Sequence, residues 1–218
     1  MVKKNKLTTY VAYVLRFHPV IEALKKELKK GKFCHMRVWT GSYLPQWRKG
    51  IDHKKRYSAN REMGGGVMLD LSHELDYTQY LLGPIETLAG QYGKRSNVTV
   101  DSEDYADFLI KTKKGPVNIH MNFLSHLKER KIQIDLQDRS VEADLIHNTL
   151  AIYREGRLIK KQVFKETMED AFLKQLNYFF NNLKNPRMMN NAVEAATLFK
   201  KICDFKTLSF PPTGRQAC

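Results

Sequence analysis

Cysteine is scarce in this sequence, and long apolar runs are missing altogether. The three cysteines, Cys34, Cys203 and Cys218, stand far apart and form no CxxC pair. This spacing excludes a disulfide framework and a thiolate zinc site, and it is typical of a protein of the reducing cytoplasm. No apolar segment approaches the ~20 residues that span a bilayer. The basic first residues are followed by no small-residue cleavage site, so we expect neither a signal peptide nor a membrane partner.

Acidic residues are also in short supply. The 23 Asp and Glu residues face 37 Lys and Arg residues, which gives a formal net charge of +14. This charge invites a nucleic-acid interpretation, but the basic residues are spread along the chain. The densest cluster, between Lys25 and Lys32, fits the solvated face of a helix. No zinc-finger, helix-turn-helix or RNP signature accompanies it, so we expect no nucleic-acid partner.

The first third of the chain alternates apolar segments with one long irregular stretch. Leu7–Phe17 is rich in β-branched and aromatic residues and is interpreted as a buried strand. Pro19–Gly31 has helical periodicity, and Phe33–Thr40 has the composition of a second strand. Gly41–Gly66 shows no sustained period and is predicted to be a long loop, which in a compact domain is usually functional. Val67–Leu82 is predicted to be one helix, ended by Gly-Pro.

The rest of the chain changes to a period of two. Seven short alternating segments between Glu86 and about Lys161 predict an antiparallel meander. Two helices follow: the first carries an apolar stripe of Phe172, Leu176, Phe179 and Leu183, and the second runs from Asn191 to about Phe205, before a Ser/Pro/Gly tail. We therefore predict one α+β domain, with a large, mainly antiparallel, mixed open sheet and helices packed on one face.

Polar residues interrupt the apolar pattern of the helix predicted at Val67–Leu82. At about 100° per residue, Asp70, His73 and Tyr77 fall together, opposite the apolar stripe. A carboxylate one turn from a histidine can set its tautomer and raise its basicity, as a general acid/base requires. The alternative is a half-buried helix whose polar side chains only bond to the neighbouring loop. No metal is expected, because Asp70, His73 and Asp76 do not share one face and no HExxH motif occurs.

Four stretches resemble one known family when they are taken together. They are YVLRFHP (Tyr13–Pro19), GSYLPQW (Gly41–Trp47), RYSA (Arg56–Ala59) and GGGVMLDLSHELDY (Gly64–Tyr77). They are similar to the C-terminal domain of the Gfo/Idh/MocA oxidoreductases, named for glucose–fructose oxidoreductase and inositol dehydrogenase. The resemblance implies NAD(P)-dependent chemistry at hydroxyl or keto carbons of sugars, cyclitols or nucleotide sugars.

The resemblance also implies roles for particular residues. His73 would be the acid/base and Asp70 its supporting carboxylate, although the family usually spaces the two as D-x-x-x-H, one residue further apart.

In the long loop, Tyr43, Trp47 and Tyr57 could stack on the apolar face of a sugar ring. The loop arginines, Arg48 and Arg56, could meet a phosphate or carboxylate. Alternatively, Trp47 and Tyr57 only anchor the loop on the sheet.

The features that hold the cofactor in this family are missing from the sequence. None of the 12 glycines falls in a GxGxxG pattern, and no E-K-P segment supplies the family's catalytic lysine. We therefore interpret residues 1–17 as a remnant of the last strand of a missing dinucleotide-binding domain, and residues 18–218 as the substrate/catalytic domain. The full-length family uses NAD or NADP, and we expect this chain alone to bind neither.

Two functions stay open at this point. The chain is the substrate domain of a sugar oxidoreductase, as a fragment or one half of a split enzyme with a separate Rossmann-domain chain. Alternatively, it is a non-catalytic sugar-binding or oligomerisation module. In both cases we expect a sugar or nucleotide-sugar ligand and a homo-oligomer, formed through an apolar sheet face that points away from the helices.

Overall fold

The fold is built around one eight-stranded mixed sheet. The computed structural model describes residue 5 and residues 7–48, 50–185 and 190–208. Along the sheet the strands follow the order β2-β3-β4-β1-β5-β6-β7-β8. β1 is parallel to β4, and all other neighbouring strands are antiparallel. The strands are β1 Phe33–Gly41, β2 Ile85–Gly93, β3 Tyr105–Thr112, β4 Gly115–Asn122, β5 Glu129–Leu136, β6 Arg139–Asp144, β7 Thr149–Arg154 and β8 Arg157–Val163.

The predicted meander is confirmed strand by strand, but it is not continuous in space. All seven alternating segments are strands, β2 to β8. β1, from the first third of the chain, lies between β4 and β5 and bonds to both. Alternation of apolar residues identifies a strand but not its partners, so the insertion could not be predicted from the pattern.

Five helices accompany the sheet in the described residues: α1 Pro19–Glu27, α2 Val67–Asp70, α3 His73–Leu82, α4 Met168–Asn181 and α5 Ala192–Leu208. Apolar side chains of α1, α3 and α5 join the inward side chains of the strands in one buried cluster. This arrangement confirms the predicted α+β open sheet with helices on one face. None of the helices in the described part of the chain is long and apolar enough to cross a membrane.

The opposite face of the sheet differs from the apolar face that we expected. Its outward positions alternate with buried ones along each strand, so that Arg37 and Trp39 are exposed while Met36 and Val38 are buried. Most of these outward positions are polar or charged, and Leu109 is an exposed apolar exception. The expectation of an apolar face is therefore wrong, because period-two alternation specifies one buried face and leaves the other polar.

The strand predicted at Leu7–Phe17 is wrong as well. Residues 7–13 form no strand, and Val14–Phe17 is a 3-10 helix. β-propensity alone does not make a strand, because a strand needs a partner edge for its hydrogen bonds. Here the Val11 amide donates instead to the Asn190 carbonyl at 2.7 Å. The domain boundary at residue 17 stays a prediction, and residues 1–4 and 6, Cys218 and the Ser/Pro/Gly tail lie outside the described residues.

An ion pair anchors this 3-10 turn to α3. Arg16 and Asp76 are 6% and 2% exposed, and two hydrogen bonds of 2.9 and 2.7 Å join the guanidinium to the carboxylate. Burial raises the pKa of Asp76, and the Arg16 guanidinium opposes that rise. Removing one partner would leave the other charge buried and uncompensated, which is strongly destabilising. Asp76 is therefore a structural residue and not part of a reactive face.

The imidazole of His18 caps α1. Its Nδ1 accepts a hydrogen bond from the Val20 amide at 3.3 Å, and Pro19 occupies the first helical position. The residue is 3% exposed, and burial lowers the pKa of His18 from 6.5 to about 4, with a further contribution from the positive charge of Arg130. The cap therefore depends on a neutral ring, because a protonated Nδ1 cannot accept a bond.

This cap predicts a loss of stability in acid. In the unfolded chain His18 binds a proton near pH 6.5, whereas in the folded chain it does so only near pH 4. The stabilisation is therefore complete above pH 6.5 and is lost as the pH falls towards 4. At about 1.4 kcal/mol for each pKa unit, it amounts to at most about 3 kcal/mol. We expect urea unfolding at pH 7, 5.5 and 4.5 to show this decline.

His18→Asn tests the assignment, since asparagine keeps a capping oxygen but does not titrate in this range. We expect the variant to lose stability less steeply than the wild type between pH 7 and 4.5. His147→Asn is the matched control, because His147 is 71% exposed. An unchanged slope in His18→Asn would contradict the assignment.

Candidate functional site

The three glycines before α2 allow the long loop to pack against the start of the helix. A Cβ on Gly65 would lie 2.7–2.8 Å from the carbonyl oxygens of Asn60 and Ser58 and closer still to that of Tyr57. Gly66 has a φ of +117°, and its added Cβ would collide with the Glu103 carboxylate. The glycine amides also donate to this loop, Gly65 to Asn60 at 2.8 Å and Gly66 to Ser58 at 3.2 Å. The glycine run is therefore a packing device.

The helix predicted at Val67–Leu82 is two helices. α2 ends at Asp70, and Leu71 leaves the helical region with φ −100° and ψ 25° before α3 begins at His73. A continuous helical wheel is therefore wrong across this break. Tyr77, which was predicted to share a face with Asp70 and His73, is fully buried. The turn nevertheless leaves Asp70 and His73 in one concavity of about 460 Å³.

The location of this concavity, called the His73 pocket below, follows from the sheet topology. Because β1 and β4 are parallel, Gly41 and Asn122 end side by side, and Glu129 at the start of β5 lies opposite Gly41. The long loop and the β4–β5 connection therefore leave the sheet at the same end of these strands. Tyr43 of the loop stacks on His126 of the connection, with the ring centroids 4.2 Å apart.

Most of the residues predicted from the sequence meet in this pocket. Tyr43, Trp47 and Tyr57 line it together with Asp70 and His73, and so does Arg48. Arg56 does not line it; its side chain lies at a smaller neighbouring cavity of about 110 Å³. Sequence reasoning missed the contribution of the β4–β5 connection and β5, namely His126, Lys128 and Arg130. Neither their spacing nor their composition gave a signal, because only the strand order brings them to the loop.

The expected carboxylate–imidazole pair does not form. The Asp70 carboxyl interacts with the hydroxyl groups of Ser58 and Tyr57, and burial raises its pKa. In the described chain no hydrogen bond joins Asp70 to His73. The helix break accounts for this correction, since the turn between the residues removes the regular spacing on which the pairing depended.

His73 itself is a half-buried, neutral histidine. Its ring meets Tyr13 edge to face, with the centroids 5.3 Å apart, and its Nδ1 is buried without a hydrogen-bond partner among the described residues. Burial lowers the pKa of His73; Glu74 opposes this shift and Arg130 adds to it. An imidazole with a lowered pKa is neutral at pH 7 and is able to accept a proton.

A buried carboxylate lies beneath the pocket. Glu74 is 0% exposed, and its Oε1 accepts hydrogen bonds from Thr40 at 2.9 Å and from Arg130 Nε at 2.8 Å. Thr40 and Arg130 are directly paired across β1 and β5. The network therefore ties α3 to the centre of the sheet and positions the Arg130 guanidinium at the pocket wall.

A second concavity and the arrangement of possible metal ligands also bear on the site. A larger concavity of about 760 Å³ lies on the open sheet face around Trp39 and His120 and contains none of the predicted site residues. Within the described residues, no group of three or more His, Cys, Asp or Glu side chains is arranged to hold a metal ion.

Comparison with known families identifies the chain. The model of the GFO/IDH/MocA C-terminal domain matches residues 21–142, more than half of the sequence. The chain therefore belongs to the GFO/IDH/MocA family of oxidoreductases and carries its C-terminal domain. A comparison of the sequence with curated proteins gives no match.

Solved structures share the fold at low sequence identity. UDP-N-acetylglucosamine 3-dehydrogenase from Acidithiobacillus ferrooxidans superposes with a TM-score of 0.73 at 20% identity, over 94% of this chain and 63% of the other. An oxidoreductase from Agrobacterium radiobacter, in complex with NAD+, L-tartaric acid and magnesium, gives 0.73 at 17% identity, over 94% and 65%. Levoglucosan dehydrogenase in complex with NADH gives 0.77 at 13% identity, over 94% and 66%. This chain thus spans about two thirds of the length of these proteins.

The glycine packing yields a prediction on stability. Gly65→Ala forces a methyl group into three carbonyl oxygens, and we expect it to lower the free energy of unfolding by about 3 kcal/mol, as overpacking does. Because the displaced loop carries Tyr57, the variant should also disturb the His73 pocket. Urea unfolding measures the first effect.

Gly64→Ala is the matched control. Gly64 has a φ of +82° but open space around it, so alanine there meets only backbone strain of about 1–2 kcal/mol. Gly65→Ala should therefore cost more than Gly64→Ala. Equal losses would show that the close approach of the loop is not what requires glycine at position 65.

Proposed function

We propose that this chain is the substrate-binding domain of an NAD(P)-dependent oxidoreductase that acts on a sugar, a cyclitol or a nucleotide sugar. One observation carries the proposal: a neutral, half-buried His73 lies in the same pocket as the aromatic side chains of Tyr43, Trp47 and Tyr57. Aromatic rings bind the apolar faces of sugars, and an imidazole handles the proton of a reacting hydroxyl. The reducing cytoplasm expected from the cysteine spacing suits such an enzyme.

The chain's own residues do not fit a dinucleotide site. The sequence has no glycine fingerprint for a pyrophosphate and no E-K-P segment. We therefore assign the nicotinamide cofactor to a further domain or a separate chain and derive no step through it. On this chain, His73 accepts the proton of the hydroxyl that is oxidised, and Asp70, held by Tyr57 and Ser58, shapes the pocket wall.

Named relatives support the chemistry. A nucleotide-sugar dehydrogenase and levoglucosan dehydrogenase share the fold. The oxidoreductase from Agrobacterium radiobacter holds NAD+ in its structure, and levoglucosan dehydrogenase holds NADH. About one third of the length of each lies outside the part that this chain matches.

The surface of α4 fits a partner domain. Five large apolar side chains on this helix are exposed by 37–61%, namely Met168, Phe172, Leu173, Leu176 and Phe180. The residues that α4 buries instead include Ala171 and Gln175. An apolar helix surface that the described residues leave exposed suits a Rossmann-type domain as its occupant.

A second candidate function is a non-catalytic module. The super-repressor mutant of Gal80p from Saccharomyces cerevisiae shares the fold with a TM-score of 0.75 at 13% identity, and its name describes a regulator. A module that only binds sugar would still depend on the aromatic side chains, but its function would not change when His73 is removed.

The catalytic prediction uses a chimera. The part of levoglucosan dehydrogenase that this chain does not match, fused ahead of Leu7, should restore hydride transfer from a sugar. His73→Ala in that chimera should lower the rate by about 10²–10⁴-fold, the usual contribution of a positioned acid/base. Asp70→Asn should cost less, because its carboxyl contacts the loop and not the imidazole. Absorbance of the reduced cofactor reports the rate.

His147→Ala serves as the control, since this exposed histidine lies outside the pocket. A chimera as active with His73→Ala as without it would exclude His73 as the acid/base and favour the non-catalytic module. Turnover of a sugar with NAD(P) by the isolated chain would contradict the assignment of the cofactor to another domain.

We also propose that the chain forms a homo-oligomer through the open sheet face. Trp39 is 48% exposed and stacks on His120 at 4.1 Å, and Leu109 beside them is 60% exposed. These residues form an apolar centre within a polar surround that includes the Asp107–His120 hydrogen bond of 2.6 Å. Such a centre with a polar rim is the usual composition of an interface.

Sedimentation at micromolar concentration tests this surface. We expect a dimer or larger assembly for the wild type and a monomer for Leu109→Lys, because a charge placed at the centre of the patch is desolvated on association. Leu127→Lys, at a 66% exposed position outside the patch, should leave the assembly intact. A monomeric wild type would refute the proposal.

A further inference from the structure

We infer that the His73 pocket recognises an anionic group, a carboxylate or a phosphate, on its ligand, and that the Arg130 guanidinium binds that group. The inference deepens the proposed function, on which it rests for the nature of the ligand as a sugar derivative. It assigns the role to a residue of β5 and not to the loop arginines that the sequence suggested.

Arg130 is held in place from one side. Its Nε donates to Glu74 Oε1 at 2.8 Å, and the same oxygen accepts from Thr40 at 2.9 Å. Within the described residues its terminal Nη atoms donate no hydrogen bond, and Glu74 Oε2 is buried without a partner. The side chain is 23% exposed and lines the pocket. The contact is thus single, and the outer edge of the guanidinium is left for a ligand.

The neighbouring charges favour an anion. Arg48 and Lys128 also line the pocket, and no salt bridge engages either of them in the part of the chain that the structure describes. Of the two acids of the lining, Glu129 is paired with the Lys131 ammonium at 3.0 Å. Asp70 interacts with the loop hydroxyls, its Oδ2 is buried without a partner among the described residues, and burial raises its pKa. The available charge at the pocket surface is therefore positive.

Stabilisation of the fold is a weak explanation for the Arg130–Glu74 pair. A buried Arg–Glu pair often contributes less than an apolar pair of the same volume, because both charges must be desolvated. A guanidinium held by one bond presents a planar pair of donors, which matches the two oxygens of a carboxylate or phosphate. A pocket for uncharged sugars alone would not require a cation of this kind beside the reactive histidine.

Ligand-observed NMR on the purified 218-residue chain tests the inference. The probes are D-glucose, D-glucuronate, glucose 1-phosphate and inorganic phosphate. We expect at least one of the two anionic sugars to bind about tenfold or more tightly than glucose, since a hydrogen bond to a charged group is worth about one to two factors of ten. The tighter of the two identifies the anion as a carboxylate or a phosphate.

Paired variants separate recognition from folding. Glu74→Gln with Arg130→Gln removes both charges together, so that no buried charge is left unpaired, and the preference for anionic sugars should fall by about 10- to 100-fold. Glu27→Gln with Arg139→Gln is the matched control, because this pair is also only 10–13% exposed but lies away from the pocket. It should leave the preference unchanged.

Arg130→Lys tests the same guanidinium if the double variant does not fold. Lysine keeps a positive charge beside Glu74 but lacks the planar pair of donors, so the preference should fall by about tenfold while circular dichroism stays that of the wild type. A wild type that binds anionic sugars no better than glucose would overturn the inference. Retention of the preference in the folded variants would do the same.

Failure of the inference is distinguishable from failure of the proposed function. Binding of glucose without preference for an anion leaves the sugar function standing and removes the anion site. Binding of inorganic phosphate that depends on Arg130, with no binding of any sugar above phosphate alone, leaves the anion site standing and removes the sugar function.

Discussion

The parallel pairing of β1 with β4 is the constraint on which the rest of the structure depends. β1 bonds to β4 on one side and to β5 on the other, and so joins the β2–β4 hairpins to the β5–β8 meander in one sheet. Because the two parallel strands end together, the chain segments that follow them must leave the sheet at the same end of these strands. The backbone confirms this, since the Leu44 amide donates to the Phe123 carbonyl at 3.0 Å. The pocket lies between these two segments.

Buried charges then fix the helix that carries the candidate acid/base. Asp76 pairs with Arg16 on the side of the N-terminal segment, and Glu74 pairs with Arg130 on the side of the sheet. Each pair is a hydrogen-bonded contact in a poorly solvated place, where a lost partner is costly. α3 is therefore clamped from two directions, and His73, at its first residue, is held at the pocket wall with little freedom. Such rigidity suits a group that must meet a reacting atom at a defined distance.

Three polar residues within seven positions have three separate tasks in this fold. Asp70 holds the loop through Tyr57 and Ser58, His73 is left without a partner at its Nδ1, and Asp76 closes an ion pair remote from the pocket. The sequence suggested a catalytic pair of Asp70 and His73, with Asp76 on another face of the helix. The packing instead pairs Asp76 with Arg16 and leaves His73 Nδ1 and Asp70 Oδ2 without partners among the described residues. Unsatisfied polar atoms at a pocket, unlike those in a core, are expected where a ligand supplies the missing bond.

Local patterns determined a good part of this protein. Periods of two predicted β2 to β8, and composition predicted β1. Pro19 and Gly83 marked helix ends, and the glycine run with the YLP-W and LDLSHE stretches indicated the family. Tyr43, Trp47, Tyr57, Asp70 and His73 were predicted as site residues because aromatic and titratable side chains are conspicuous in a loop or on an apolar helix, and they line one pocket. Arg56, predicted with them, lies at a neighbouring cavity. Each of these signals lies within a few neighbouring residues.

Tertiary structure alone decided the remainder. The insertion of β1, the fate of Leu7–Phe17 and the position of Arg130 depend on which strand edges pair, and hydrogen bonds between distant strands leave no trace in local periodicity. The break at Leu71 likewise has no signal in the helix sequence, because the apolar pattern of Val67–Leu82 continues across it. Local sequence patterns identified candidate residues, and long-range packing determined which residues they contact.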